Sequence, residues 1–292
     1  MAAPVRTAVF PIAGLGSRFL PATKALAKEM LPVIDKPLIQ YAVEEAQAAG
    51  IERFVFVTGR GKSLIEDHFD HAYELERTLA DAGKGALVDV AASARLAPGA
   101  LFTTRQQEPL GLGHAVWCAR EFVGNEPFAV VLPDDLVLHE SPCLAQMMAA
   151  YDRVGGNLVA VMDVPPEHTR RYGILEVGAT RGALVEVAGL VEKPEPEVAP
   201  STLSIIGRYI LQPAIMDRLA RQERGAGGEI QLTDAMAGLI GEAPFHGFRF
   251  AGRRFDCGDK LGYIEATLAF ALARDDLGAE LRAIIRRLAG QE

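Results

Sequence analysis

The sequence predicts an α/β protein built on a mostly parallel, buried sheet, and three observations predict it. Apolar runs bounded by turn residues recur at Val5–Ile12, Phe54–Val57, Leu101–Thr104, Phe128–Leu132 and Leu158–Asp163. The segments between them have helical length and spacing, an alternation that implies parallel strands covered on both faces. With 292 residues, 49% of them hydrophobic, the chain is long enough for one large α/β domain or two small ones and for a core of its own.

The first strand runs into the turn Ala13-Gly14-Leu15-Gly16-Ser17-Arg18. Glycines there let the backbone approach a phosphate, because no Cβ intervenes and positive φ is cheap, and Arg18, Lys24 and Lys28 add cations. The turn is not a P-loop, which ends in Gly-Lys-Ser/Thr, and it is a poor dinucleotide fingerprint, since Phe19 and Pro21 fall where a third small residue and a helix belong. By itself it is equally a tight strand-to-loop connection. Next, Pro37 suits the first turn of a helix whose Leu38, Ile39, Ala42, Val43 and Ala46 share one face, with Gly50 as its stop, and the strand Phe54–Val57 follows. The strand Phe128–Leu132 delivers Pro133-Asp134-Asp135 to its carboxyl end, where open α/β sheets place their ligands. That makes Asp134 the first candidate metal ligand, with Asp256 in Asp256-Cys257-Gly258-Asp259 as the second. A turn or helix cap is the alternative for such aspartates, and it is the reading adopted for Asp135 and Asp259.

After about residue 165 the strands Tyr172–Val177, Leu184–Glu192 and Leu203–Leu211 are separated by Gly and Pro and are expected to form a second layer on the first. Pro194–Pro200 is the one linker-like stretch. Two Ala/Leu-rich helices are expected over Tyr263–Leu288, where Leu268, Leu272, Leu281, Ile284, Ile285 and Leu288 make a stripe that either covers the chain's own core or joins subunits.

The continuation Lys24-Ala25-Leu26-Ala27-Lys28-Glu29-Met30-Leu31-Pro32, with Gln106 and Gly111 in Gln106-Gln107-Glu108-Pro109-Leu110-Gly111, Tyr172-Gly173-Ile174-Leu175 and Val191-Glu192-Lys193-Pro194, resembles the sugar nucleotidyltransferases. Within them, Lys28-Glu29-Met30-Leu31-Pro32, Gly111-Leu112-Gly113-His114-Ala115 and Gly227–Asp234 look like the uridylyltransferase branch. The resemblance implies a Rossmann-like three-layer α/β/α nucleotidyltransferase fold with a mixed, mostly parallel central sheet. It implies a single domain, 1–292, with a nucleotide-binding half to about 165, a sugar-binding part at about 166–255 and C-terminal helices at 256–292 available for oligomer contact. It implies that Ala13, Gly14, Gly16, Glu29, Gln106 and Gly111 bind the nucleotide, that Gly173 and Glu192 hold the sugar and Lys193 its phosphate, and that Asp134 and Asp256 hold Mg²⁺. Arg18, Lys28 and Lys193 are then the catalytic cations. The implied reaction forms UDP-glucose and pyrophosphate from UTP and glucose 1-phosphate, by attack of the sugar phosphate on the α-phosphorus. His114 reads as a residue of the helix start, and Glu192 and Lys193, being adjacent in an extended segment, should point to opposite faces unless the Pro194 turn redirects one.

A net charge of −8 opposes nucleic-acid binding, although a small anion needs only a few local cations. Three scattered cysteines, Cys118, Cys143 and Cys257, fit reduced thiols and the cytoplasm. No run of eighteen apolar residues occurs and no leader is evident, so a soluble, unprocessed protein is expected, forming homo-oligomers, dimer or tetramer, through the C-terminal stripe. Two alternatives stay open: a thymidylyl- or cytidylyltransferase for a related sugar phosphate, and a regulator that binds nucleotide sugars without turnover.

Overall fold

In the computed structural model, residues 2–290 are described; Met1, Gln291 and Glu292, which the expected single domain includes, lie outside them. One nine-stranded sheet runs in the order Leu101–Arg105, Arg53–Thr58, Thr7–Pro11, Phe128–Val131, Leu203–Leu211, Asn157–Asp163, Phe245–Arg249, Leu184–Glu192 and Gly173–Arg181. The 203–211 and 184–192 strands run against the other seven, so the sheet is mixed with one dominant direction. Successive strand residues serve opposite faces. Phe10, Phe54 and Phe56 pack on one side with Ile39, Val43, Met147 and Tyr151 of two helices, Leu38–Ala48 and Cys143–Val154. Val9, Val55, Val57 and Val130 pack on the other side with Val116 and Met236. This is the three-layer arrangement, with both faces of the parallel half covered.

The strands beyond residue 165 do not stack as a second layer. All nine residues of the 203–211 strand are buried, which suits the middle of a sheet, and it inserts between the 128–131 and 157–163 strands. Its early part also pairs with the 173–181 strand through Ser204 opposite Ile174, so the last five strands close their pairing into a ring. The strand Phe245–Arg249 is short and carries His246, Gly247 and Arg249 among its apolar residues, so it has no run to find in the sequence.

Pro37 precedes its helix in extended conformation rather than occupying the first turn, while Gly50, at φ 85°, stops it as expected. The segment from Ser17 to Met30 makes three short 3₁₀ turns instead of a helix, consistent with Phe19 and Pro21. At the C-terminus two helices form, Lys260–Ala273 and Gly278–Ala289. Leu261, Ile264, Leu268 and Leu288 are exposed, so these helices cover their own core only in part.

Candidate active site

The turn after the first strand stands between two cavities. A cleft of about 380 Å³ is lined by Ala13, Gly14 and Leu15, by Thr23 and Lys24, by Gly59–Lys62, and by Gln106, Gln107 and Pro109. A second, of about 240 Å³, is lined by Arg18, Asp134, Asp135, Tyr172, Gly173, Glu192, Lys193, Arg254 and Asp256. The two share no lining residue, yet Ala13 to Leu15 wall one and Arg18 walls the other. Of the residues expected in a site, Ala13, Gly14 and Gln106 meet in the first cavity, and Arg18, Asp134, Gly173, Glu192, Lys193 and Asp256 meet in the second. Gly16, Lys28, Glu29 and Gly111 line neither.

The two aspartates meet because of a long-range pairing of two short strands. Asp135–Leu138 pairs antiparallel with Arg253–Asp256, setting Asp256 opposite Asp135, and the Cys257 N–H donates to the Asp134 carbonyl at 2.7 Å. Leu136, Phe255 and Cys257 anchor this strand pair in a small core with Phe19 and Ala266. Behind it, Arg208 is fully buried: its guanidinium donates to the carbonyls of Leu132 (2.9 Å) and Asp135 (2.7 Å) and is clamped by Glu45 at 2.9 and 2.8 Å. The Pro133–Asp134 turn is thereby held from both ends.

Asp134 Oδ2 accepts from Lys28 Nζ at 2.6 Å. Burial pushes the Asp134 carboxyl up, but the Lys28 ammonium outweighs it and holds the group below its ordinary value. Burial likewise opposes the Lys28 charge, and Asp134 and Glu29 more than restore it. Asp256 accepts from Gly258 N–H at 2.9 Å and from Tyr172 Oη at 2.9 Å. Where a Cβ on Gly258 would stand, Asp256 Oδ1 lies 2.8 Å away, Asp134 Oδ2 3.2 Å and Arg18 Nη1 3.4 Å, so two carboxylate oxygens and a guanidinium converge on one glycine. That cradle of hard oxygens suits Mg²⁺, which takes one or two carboxylates and completes its shell with water and substrate phosphates. Among the described residues no group of three or more His, Cys, Asp or Glu is placed to hold a metal ion.

Asp259 is a helix cap as expected, its Oδ1 accepting from Gly262 N–H at 2.9 Å. Asp135 is not a cap. It begins a buried strand, accepts from Gly207 N–H at 2.7 Å and pairs with Arg254, because a buried carboxylate must find a cation and a donor. Glu192 and Lys193 do not point apart. Lys193 adopts φ 48°, which folds its side chain back until Nζ lies 3.1 Å from Glu192 Oε1, and both line the same cavity. A non-glycine residue in this conformation is strained by about 1 kcal/mol or more.

Sequence reasoning missed Lys62, buried and paired with Glu29 at 2.6 Å, along with Arg60, Tyr172 and Arg254. Thr58-Gly59-Arg60-Gly61-Lys62 held the same signal as the first turn, a strand end breaking into glycines and cations. Tyr172 and Arg254 carried none, because they come to the site only through the long-range pairing of Asp135–Leu138 with Arg253–Asp256.

A strand-to-glycine turn between two cavities, with paired carboxylates beside it, defines a nucleotidyl transferase, and a family model described as nucleotidyl transferase matches residues 9–271. A UTP–glucose-1-phosphate uridylyltransferase of Komagataeibacter xylinus is 54% identical over 261 residues, 89% of this chain and 92% of that one. One of Bacillus subtilis is 49% identical over 289 residues, 99% of this chain and 98% of that one. Among solved structures, a UTP-bound UGPase from Acinetobacter baumannii is 41% identical with a TM-score of 0.90, over 98% of this chain and all of that one. A UDP-glucose pyrophosphorylase complexed with UDP-glucose is 41% identical with a TM-score of 0.83, over 93% of this chain and all of that one. The chain belongs to the nucleotidyl transferase family, among its UTP–glucose-1-phosphate uridylyltransferases.

Proposed function

We propose that this protein forms UDP-glucose and pyrophosphate from UTP and α-D-glucose 1-phosphate. The observation that carries the reading is the placement of the glycine turn between the two cavities. UTP lies in the first, its base against Gln106, Gly111 and Ala13 and its phosphates over Gly14 and Gly16, with Glu29 behind. The sugar phosphate lies in the second, its sugar on Gly173 and Glu192 and its phosphate on Lys193. A phosphate oxygen of glucose 1-phosphate attacks the α-phosphorus from the second cavity, and the bond to the bridging oxygen of the β-phosphate breaks, releasing pyrophosphate on the opposite side. Arg18 stabilises charge gathering on the α-phosphate, Lys28 balances the leaving pyrophosphate and the Asp134 carboxylate, and Lys193 aims the nucleophile. Such transfer asks for positioning and charge neutralisation rather than a covalent intermediate. Mg²⁺ held by Asp134 and Asp256 would supply further neutralisation of the phosphate oxygens.

The cavities support the division of the chain into a nucleotide half to about residue 165 and a sugar part to about 255. Exposed Leu261, Ile264, Leu268 and Leu288 support self-association through the C-terminal helices. Free thiols at Cys118, Cys143 and Cys257 support a reducing compartment, the cytoplasm; among the described residues no helix is long and apolar enough to cross a membrane.

The test is pyrophosphate release with magnesium, offering UTP, dTTP, CTP and ATP in parallel against glucose 1-phosphate and galactose 1-phosphate. The reading requires preference for UTP with glucose 1-phosphate; preference for dTTP would move the protein to thymidylyl transfer, and binding without turnover would make it a regulator.

A further inference from the structure

Gln106 presents only one half of its amide to the nucleotide cleft, and the wall behind it decides which half. The residue is buried, and its Nε2 lies 2.9 Å from the Gly111 carbonyl oxygen and 3.1 Å from Nδ1 of His114. A carbonyl oxygen only accepts, so the atom facing Gly111 is the NH₂, and turning the amide over would set two oxygens against each other. The second amide proton goes to His114 Nδ1, which must then be bare, leaving the imidazole proton on Nε2. Partial burial holds the His114 pKa below its ordinary value against the opposing pull of Glu108. The ring is also held mechanically, stacked on Trp117 at 6.0 Å between centroids, with Cys118 Sγ 4.0 Å away one helical turn on. Gln106 Oε1 has no partner among the described residues and is not sealed from solvent, and the open surface that Gln106 reaches is the cleft.

We propose that His114 is a specificity-determining positioning residue. By taking one amide proton of Gln106 it leaves the bare Oε1 facing the base, so the cleft takes a pyrimidine that offers an N3–H and rejects one whose N3 is a lone pair. Uracil and thymine offer the proton; cytosine does not, and its N3 would face Oε1 as one acceptor against another. The inference rests on the reading that Gln106 contacts the base.

The experiment compares kcat/KM for UTP, dTTP and CTP in the wild type, His114→Phe, His114→Asn and Gln106→Leu. Phenylalanine keeps the ring and its stacking but removes the acceptor; asparagine restores an acceptor oxygen near the place of Nδ1. His114→Phe should lower the UTP-over-CTP preference about tenfold, since the amide is then held by the Gly111 carbonyl alone and can swing out of line with the base, and a site discriminates strongly only while its hydrogen-bond pattern is held in place. His114→Asn should stay near the wild-type preference, Gln106→Leu should lose at least as much as His114→Phe, and dTTP should follow UTP throughout. If Gln106→Leu loses the preference while His114→Phe keeps it, His114 has no such role; if both keep it, the base-contacting reading of Gln106 itself fails. Nitrogen NMR of the wild-type imidazole needs no variant: a bare Nδ1 on His114 is required, and a protonated Nδ1 overturns the proposal.

Discussion

Gly14 separates what the fold needs from what a nucleotide needs. Its backbone φ is not positive, and a Cβ built there would meet nothing within 4 Å, so the protein has room for alanine. Gly16, two residues on, is the opposite case: at φ 66° its Cβ would crowd Lys28 Cβ at 3.1 Å and Thr23 at 3.2 Å. Gly14→Ala should therefore stabilise the fold slightly, by about 0.4–1 kcal/mol, through the lost freedom of the unfolded chain. The same methyl stands where a phosphate is proposed to rest. It keeps ligand atoms about 3.5 Å away, whereas a backbone N–H holds an oxygen at roughly 2.9 Å. One or two charge-assisted hydrogen bonds would be stretched or lost, at about 1.5–3 kcal/mol each, which is roughly 10- to 10³-fold or more in kcat/KM for UTP. Melting temperature and steady-state kinetics read the two effects separately. Gly85→Ala is the control, since it too has an open Cβ position and ordinary φ but lies far along the chain in a surface helix, and it should raise stability alone. Gly14→Ala with wild-type kinetics would refute the anion-cradle role of the turn, and a large drop in melting temperature would show that the glycine serves the fold.

Gly258→Ala puts a methyl 2.8 Å from Asp256 Oδ1 and 3.2 Å from Asp134 Oδ2, and it should raise the magnesium concentration for half-maximal activity about tenfold, with an unchanged magnesium curve counting against the two-carboxylate site. Lys193→Gly should relieve about 1 kcal/mol of backbone strain while lowering turnover by roughly 10²–10³; thermal melts and initial rates together check this, and a normal rate would refute the role of the amine. Arg208→Met leaves Glu45 buried without its cation and should cost about 3–5 kcal/mol of stability by urea unfolding, so a loss under about 1 kcal/mol would contradict the clamp. His68, half-buried with Nε2 2.9 Å from Gln40 Oε1, has its pKa lowered by burial against the pull of Glu44. As pH falls below about 6.5 the unfolded chain takes a proton that the folded chain refuses, so stability declines towards acid until the folded value is passed. His68→Asn should flatten that decline in unfolding curves taken across the range, and a wild-type-to-variant difference that does not change with pH would refute it.

Local pattern made eight of the nine strands of the large sheet legible, because each is a run rich in apolar residues closed by turn residues, while the short Asp135–Leu138 and Arg253–Asp256 strands were missed. It did not make their order legible. The 203–211 strand reads as part of a second layer only because nothing in its residues says that the 128–131 strand, about seventy positions earlier, is its neighbour. The site divides in the same way. Arg18 and Asp134 could be found because each follows a strand that ends in a turn, whereas Lys193 was reached only through the family resemblance of Val191-Glu192-Lys193-Pro194. Tyr172 and Arg254 could not, because they join the site only when Arg253–Asp256 folds back on Asp135–Leu138 and sets Arg254 on Asp135 and Tyr172 on Asp256. Glu192 and Lys193 show the limit most sharply. Alternation along a strand correctly predicts opposite faces for adjacent residues, and the prediction fails at one torsion, the left-handed φ of Lys193. Ile34 and Gln222 adopt the same left-handed conformation, so the torsion by itself assigns no role; what it does at Lys193 is turn the amine to the side of Glu192, into the cavity proposed for the sugar phosphate.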